Sequence, residues 1–280
     1  MNERSGLTRA ASGTRPLPPD PRTLGARLAG APLVVLLDVD GTLAPIAPRP
    51  EDAQVPTPTR EALTRLVASR DTHVALVSGR GARDAHRLAG VEGVWAIGNH
   101  GFESIAPDGG FSLDERVAPW EDALRSARDA AEAAVVAVDG ARLEDKGATM
   151  SVHYRQVAPA DVAELERAIG TAAGALGLRV THGRKVFEIR PPIAVHKGTA
   201  VLALANRLGA GVASASILFA GDDTTDEDAM EALRDWRAGA VTIHVEGEEP
   251  RKTSAEFQVG SPAELGKWLA ALAAMREGGE

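Results

Sequence analysis

The sequence contains no cysteine. Disulfides, thiolate catalysis and Cys-ligated zinc or iron–sulfur centres are therefore excluded. Aromatic residues are scarce at 4%, so a core must be built mostly from Ala, Val, Leu and Ile. No apolar run approaches the ~18 residues of a membrane helix. The longest near the start, Pro32 to Leu37, has the length of a strand. A basic excess is missing too: 31 Lys and Arg stand against 39 Asp and Glu, for a net charge of −8. A generic nucleic-acid binder carries the opposite balance. The 7 histidines show no HxH or HExxH pairing, which argues against a His-bound metal. Neither a GxxxxGK phosphate loop nor a GxSxG elbow occurs, which argues against a P-loop NTPase and a serine hydrolase.

What is present suits a globular protein: 44% hydrophobic and 25% charged residues over a length of 280. That length fits one large domain or a core with an insertion. Residues 1–30 carry Arg4, Arg9 and Arg15 without an apolar stretch, so no secretory signal is read there. Pro16, Pro18, Pro19 and Pro21 predict a loose, flexible tail over that segment, and the default expectation is a cytoplasmic protein.

One pattern recurs: a short apolar run, a polar cluster, then a helical stretch. Leu33–Leu37 runs into Asp38-Val39-Asp40-Gly41-Thr42, and Val74–Val77 into Ser78-Gly79-Arg80. Trp95–Ile97 runs into Gly98-Asn99-His100-Gly101, and Ile217–Ala220 into Gly221-Asp222-Asp223. Continuous apolar runs of this length suit strands buried on both faces of a parallel sheet. Helices are expected over 57–69, with Thr57 as cap and Pro58 first, over 197–208, over 226–235, and after a Ser261–Glu264 capping box. The expectation is a Rossmann-like α/β fold with a parallel sheet and helices on both faces, its ligands at the carboxyl ends of the strands.

The middle of the chain reads differently. Helices are expected over 120–136 and 160–176. Thr149 to Arg155 alternates like a half-buried antiparallel strand, and a strand pair around 179–181 and 186–190 turns at His182-Gly183. This predicts an α+β unit over 105–191 inserted into a core formed by 31–104 and 192–280.

Two acidic clusters carry the chemistry. Asp38 and Asp40 leave a strand end side by side, and like charges so close need a cation or a shared proton; an Asx turn is the bland alternative. Asp222, Asp223, Asp226, Glu227 and Asp228 follow another buried strand. The last three also suit a solvated helix N-terminus. Together the clusters suit a hard, oxygen-liganded cation, with Mg²⁺ the best fit. Ser78-Gly79 at a strand end can hold a phosphate oxygen or be a plain turn. Lys197 opens a helix against its dipole, so it is either a solvent-exposed lysine or one that faces phosphate.

Asp38-x-Asp40-Gly-Thr, Ser78, Lys197 and Gly221-Asp222-Asp223-x-x-Asp226, in that order, resemble the four motifs of the haloacid dehalogenase superfamily. With Leu143–Gly147, His153-Tyr154-Arg155, Glu188–Pro191, Lys197-Gly198 and Gly221–Ala229, the chain is similar to the trehalose-6-phosphate phosphatases within it. The resemblance spans 38–226 for the core motifs and leaves out the first 30 residues. It implies an insertion of the larger, C2 type. It also implies a Mg²⁺-dependent phosphatase that releases trehalose from trehalose 6-phosphate, with a possible functional link to a trehalose-phosphate synthase. Asp38 would be the nucleophile and Asp40 the general acid and base. Asp38, the Asp40 backbone carbonyl and Asp222 would hold the metal, and Asp223 and Asp226 would orient its waters or Lys197. Ser78 and Lys197 would bind the phosphoryl oxygens, beside Gly79 and Arg80. Glu144, Lys146 and Glu188 would read the distal glucose, with Arg155 and Arg184 near the phosphate or the acidic loop. A related phosphatase for sucrose phosphate or mannosyl-phosphoglycerate remains an alternative, and so does a silent phosphosugar-binding module. An intact Asp38/Asp40 pair weighs against the last.

Overall fold

The structure, a computed structural model, describes residues 15–183, 185–247 and 251–278. In chain order the elements are α1 (Ala26–Ala29), β1 (Leu33–Leu37), α2 (Thr57–Ala68), β2 (Thr72–Val77), α3 (Ala82–Ala89), β3 (Trp95–Gly98), β4 (Glu103–Ile105) and β5 (Phe111–Leu113). Then come α4 (Glu121–Val136), β6 (Arg142–Asp145), β7 (Met150–His153), α5 (Pro159–Ala175), β8 (Arg179–Gly183) and β9 (Val186–Arg190). The chain closes with α6 (Lys197–Arg207), β10 (Ser216–Gly221), α7 (Thr224–Trp236), β11 (Val241–Val245), β12 (Phe257–Val259) and α8 (Pro262–Glu277). No described helix is long and apolar enough to cross a membrane.

The chain divides into two compact units, one up to Val74 and from Leu202 onward, the other Ala75–Val201. In the first, β1, β10, β11 and β12 pair in parallel. β1 is buried at all five positions, as its unbroken apolar run predicts, and so is β10 at all six. β11 is equally buried although Thr242 and His244 interrupt its apolar run, which hid it from the sequence pattern.

Residues 15–30 differ from the expected loose tail. Pro21–Leu24 and Ala26–Ala29 are helical turns, and Leu28 is fully buried. Pro16 accepts from Gln258 N at 3.0 Å, and Trp268 Nε1 donates to Pro19 O at 2.8 Å. Arg27 forks onto Glu256. The prolines that suggested disorder shape a strap instead: lacking N–H groups, they leave carbonyls to do the bonding.

In the second unit β2 and β3 are parallel, and β3, β4 and β5 form antiparallel pairs. A four-stranded antiparallel sheet in the order β6-β7-β9-β8 follows, with α4 and α5 packed on it. Its core joins Leu124, Ala131, Leu165 and Ile169 of the helices to Met150, Val152, Phe187 and Ile189 of the strands. Tyr154 stacks on Phe187 with ring centroids 4.4 Å apart.

Three local expectations fail for physical reasons. Thr57 lies inside its helix and does not cap it; Pro56 takes the cap position. β7 is buried on both faces over Met150–Val152: Ser151, on the expected polar face, is 2% exposed, and Thr149 just before the strand is 0% exposed with its hydroxyl donating to Asn99 Oδ1. The β8–β9 turn lies beyond His182-Gly183, which still belong to β8, and Lys185 there has φ +62°.

Candidate active site

The carboxylates gather at the carboxyl ends of β1 and β10. Leu37 faces Ala220 across the parallel pair, and Asp38 N donates to Ala220 O at 2.9 Å, so Asp38 and Asp222 leave the sheet from neighbouring strands. The chain turns at once after Asp40. Gly41 N donates to Ala44 O at 2.7 Å with Gly41 at φ +84°, and a Cβ there would lie 2.2 Å from Asp222 Oδ2. Only glycine meets both demands.

Asp38, Asp222 and Asp226 each bring a carboxylate oxygen within 4.8 Å of the other two. Asp38 is 5% exposed and Asp226 fully buried. Three anions so close together, two of them buried, repel unless a cation or protons offset them. The donors are all oxygen, which suits a hard divalent ion such as Mg²⁺ and not a thiolate- or imidazole-loving metal. The Asp40 side chain is not part of this trio. Asp226 enters it, closer in than the sequence reading placed it.

The acidic loop is held by its own chain. Asp223 caps α7, its Oδ1 accepting from Thr225 N at 2.8 Å and Asp226 N at 3.0 Å. Asp226 Oδ2 accepts in turn from the backbone N–H of Asp222 and of Asp223, both at 3.0 Å. This reciprocal capping box fixes the carboxylates before any ion binds. The expectation that Asp226 to Asp228 form a solvated helix start holds for Asp228 and fails for Asp226.

The other candidate residues lie in the second unit. Ser78 is 2% exposed and its Oγ accepts from Arg80 N at 3.1 Å, so its own proton can point elsewhere. Lys197 is 2% exposed, which removes the reading of a solvent-exposed lysine. Arg80 holds Asp84 at 2.7 Å. The N-terminus of α3 is already occupied by a protein anion: Glu103 Oε2 accepts from Ala82 N at 2.8 Å.

Glu188 on β9, Lys146 in the turn after β6 and Glu144 on β6 are the candidate sugar-reading residues. Glu188 is 8% exposed; its carboxylate lies 3.2 Å from His100 Nε2 and 3.9 Å from both Lys146 Nζ and Arg190. Lys146 Nζ also donates to Gly79 O at 3.1 Å. Glu144 instead pairs with His153 at 2.8 Å. Burial pushes the Glu188 carboxyl up, but the hydrogen bond from His100 and the charges of His100, Lys146 and Arg190 outweigh it and bring it down to about 2. The same balance, burial against His153, Lys146 and Arg80, lowers Glu144. Arg155 is exposed, and Arg184 lies outside the described residues.

A carboxyl depressed in the folded state stabilises the fold above its unfolded pKa and loses that contribution as pH falls through the folded value. The thermal midpoint of Glu188→Gln should therefore converge on that of the parent as pH falls from about 4.3 to about 2. Thermal melts across that range check this; a gap that widens in acid would contradict the ion-pair assignment.

His100 and Asn99 are the site residues that sequence reasoning undervalued. In the sequence both stand out only as members of the polar cluster that follows Trp95–Ile97. His100 sits at φ +57° with its ring so close that a Cβ on Gly79 would meet Cε1 at 2.8 Å. The available signal was the Gly98–Gly101 cluster itself, which includes Asn and His, both among the non-glycine residues that tolerate left-handed backbone.

A parallel α/β sheet whose adjacent strands end in convergent carboxylates, with a loop turning on Asp-x-Asp-Gly, defines a hydrolase fold of the haloacid dehalogenase type. The family model described as trehalose-phosphatase matches residues 36–263. The chain belongs to the trehalose-phosphatase family. It is 37% identical to a trehalose-phosphate phosphatase of Mycobacterium leprae over 268 residues, covering 92% of this chain and 62% of that one. It is 39% identical over 249 residues to an uncharacterized glycosyl hydrolase of Mycobacterium tuberculosis, covering 88% of this chain and 18% of the relative. The chain thus spans under two thirds of the length of these curated relatives. Among solved structures, the C-terminal domain of a Candida albicans trehalose-6-phosphate phosphatase superposes with a TM-score of 0.76 at 20% identity, covering 94% of this chain and 99% of that one.

Proposed function

We propose that the chain is a Mg²⁺-dependent phosphatase that hydrolyses trehalose 6-phosphate to trehalose and phosphate. The observation that carries this reading is the carboxylate trio Asp38, Asp222 and Asp226, gathered where β1 and β10 end and α7 begins. Relatives named as trehalose-phosphate phosphatases supply the substrate.

In this reading Asp38 attacks phosphorus and becomes an aspartyl-phosphate, splitting one hard step into two. Asp40 gives a proton to the departing sugar oxygen and later takes one from the water that cleaves the acyl phosphate. Ser78 and Lys197 hold the phosphoryl oxygens, and the burial of both makes their charge and dipole count for more than in water. Asp38, Asp222 and the Asp40 carbonyl would hold Mg²⁺, with Asp223 and Asp226 ordering the loop around them, and the ion would supply positive charge that offsets the anionic nucleophile and ester. The insert 105–191 reads the sugar through Glu144, Lys146 and Glu188, beside Gly79 and Arg80, with Arg155 and Arg184 nearer the phosphate. A cytoplasmic location and a functional link to a trehalose-phosphate synthase complete the proposal.

Phosphate release over a panel of trehalose 6-phosphate, sucrose phosphate and mannosyl-phosphoglycerate tests the substrate. Trehalose 6-phosphate should lead; no release from it ends the reading, and release from neither it nor its analogues would favour a silent binding module. Chelation should stop turnover and Mg²⁺ restore it, whereas Ca²⁺, with its looser coordination, should inhibit. Full activity in excess chelator would remove the metal from the mechanism.

A further inference from the structure

Asn99 is fully buried and stands at φ +54° between β3 and β4. Its side chain uses both amide hydrogens, on Glu103 Oε1 and on Lys146 O, each at 3.0 Å. Its Oδ1 accepts from the hydroxyl of Thr149, itself 0% exposed. Three of the four hydrogen bonds an amide can make are thus made inside the protein. An Asn is among the few residues that tolerate this backbone conformation, and a buried amide so connected fixes whatever it touches.

What it touches are two parts of the site. On one side its backbone N–H donates to Arg80 O at 2.6 Å, and Glu103, its first partner, holds the N-terminus of α3 through Ala82 N. On the other side lies the tight turn of residues 146–149, closed by Lys146 N on Thr149 O at 2.9 Å. That turn carries Lys146, whose ammonium reaches back to Gly79 O at 3.1 Å and lies 3.9 Å from Glu188. Lys146 is therefore tied to the segment 79–80 twice, once by its side chain and once by its own carbonyl through Asn99.

We propose that Asn99, braced by Thr149, is a positioning residue that sets the spacing between the Ser78–Arg80 segment and Lys146, and so selects phosphate esters that carry a second sugar ring. The inference rests on the reading above, in which the first segment grips phosphate and Lys146 reads the sugar. Asn99 touches neither group of the substrate; it acts through the distance between the residues that do. A simple ester needs no such spacing, and a disaccharide phosphate does, because a misplacement of an ångström forfeits the oriented contact.

The test uses Thr149, which contacts Asn99 and not the phosphate segment. Thr149→Val keeps shape and removes the hydroxyl, leaving the Asn99 carbonyl oxygen without its donor; Thr149→Ser keeps the hydroxyl. kcat/KM is measured for trehalose 6-phosphate and for p-nitrophenyl phosphate on both variants and the parent, with thermal midpoints alongside. The ratio of the two kcat/KM values should fall at least about fivefold in Thr149→Val, as for one neutral hydrogen bond lost, and return in Thr149→Ser. Asn99→Asp, which sets a carboxylate against Glu103 and the Lys146 carbonyl, should lower the ratio further. Parallel losses on both substrates, or a ratio unchanged in Thr149→Val, would overturn the positioning role. A parent enzyme with no preference for trehalose 6-phosphate would instead overturn the substrate reading beneath it.

Discussion

Asp38→Asn is expected to abolish turnover and leave the fold intact. The carboxylate lies at the end of β1, held by its backbone N–H on Ala220 O, and an amide of the same shape can occupy the place. An amide cannot form the acyl phosphate, so the covalent route closes. The substitution also removes one of three mutually repelling charges, and in the absence of metal the variant should melt no lower than the parent. Steady-state phosphate release and a thermal melt in chelator check both halves. A variant that keeps more than about a hundredth of the parental rate would remove Asp38 from the role of nucleophile.

Glu188→Ala should separate sugar recognition from phosphate chemistry. Its carboxylate faces His100, Lys146 and Arg190, and removing it strips the pocket of a charged acceptor and leaves cations without their counter-charge. A hydrogen bond to a charged group contributes about 1.5–3 kcal/mol. At about 1.4 kcal/mol per factor of ten, kcat/KM for trehalose 6-phosphate should fall at least tenfold. Hydrolysis of p-nitrophenyl phosphate, which has no sugar to read, should change little. Equal losses on both substrates would mean that Glu188 supports the fold or the phosphate segment and does not read the sugar.

Much of this was legible before any coordinate. The runs at β1 and β10 are apolar at every position because both faces are covered, and the carboxylates that follow them are where a parallel sheet keeps its ligands. Lys197 advertised itself by opposing the dipole of the helix it opens. The rest failed where tertiary partners replace water. Thr149 and Ser151 look like a solvent face and are buried, and β11 hides behind a Thr and a His that are buried too. β4 and β5, three residues each, are too short to show a period. The pairing of His100 with Glu188 joins residues far apart in sequence, and no local pattern encodes it.

The strap formed by residues 16–28 has a consequence for how the protein is made. Every contact within residues 75–201 joins segments that have all left the ribosome once Val201 emerges. The flanking unit must wait: β1 gains its pairing with β10 only once Ser216–Gly221 has emerged, and Pro16 and Pro19 find their partners only with Gln258 and Trp268. Closing so long a loop is an entropic barrier that local contacts do not face. A nascent chain stopped short of residue 258 therefore holds its second unit complete while the first still lacks the anchors of its strap.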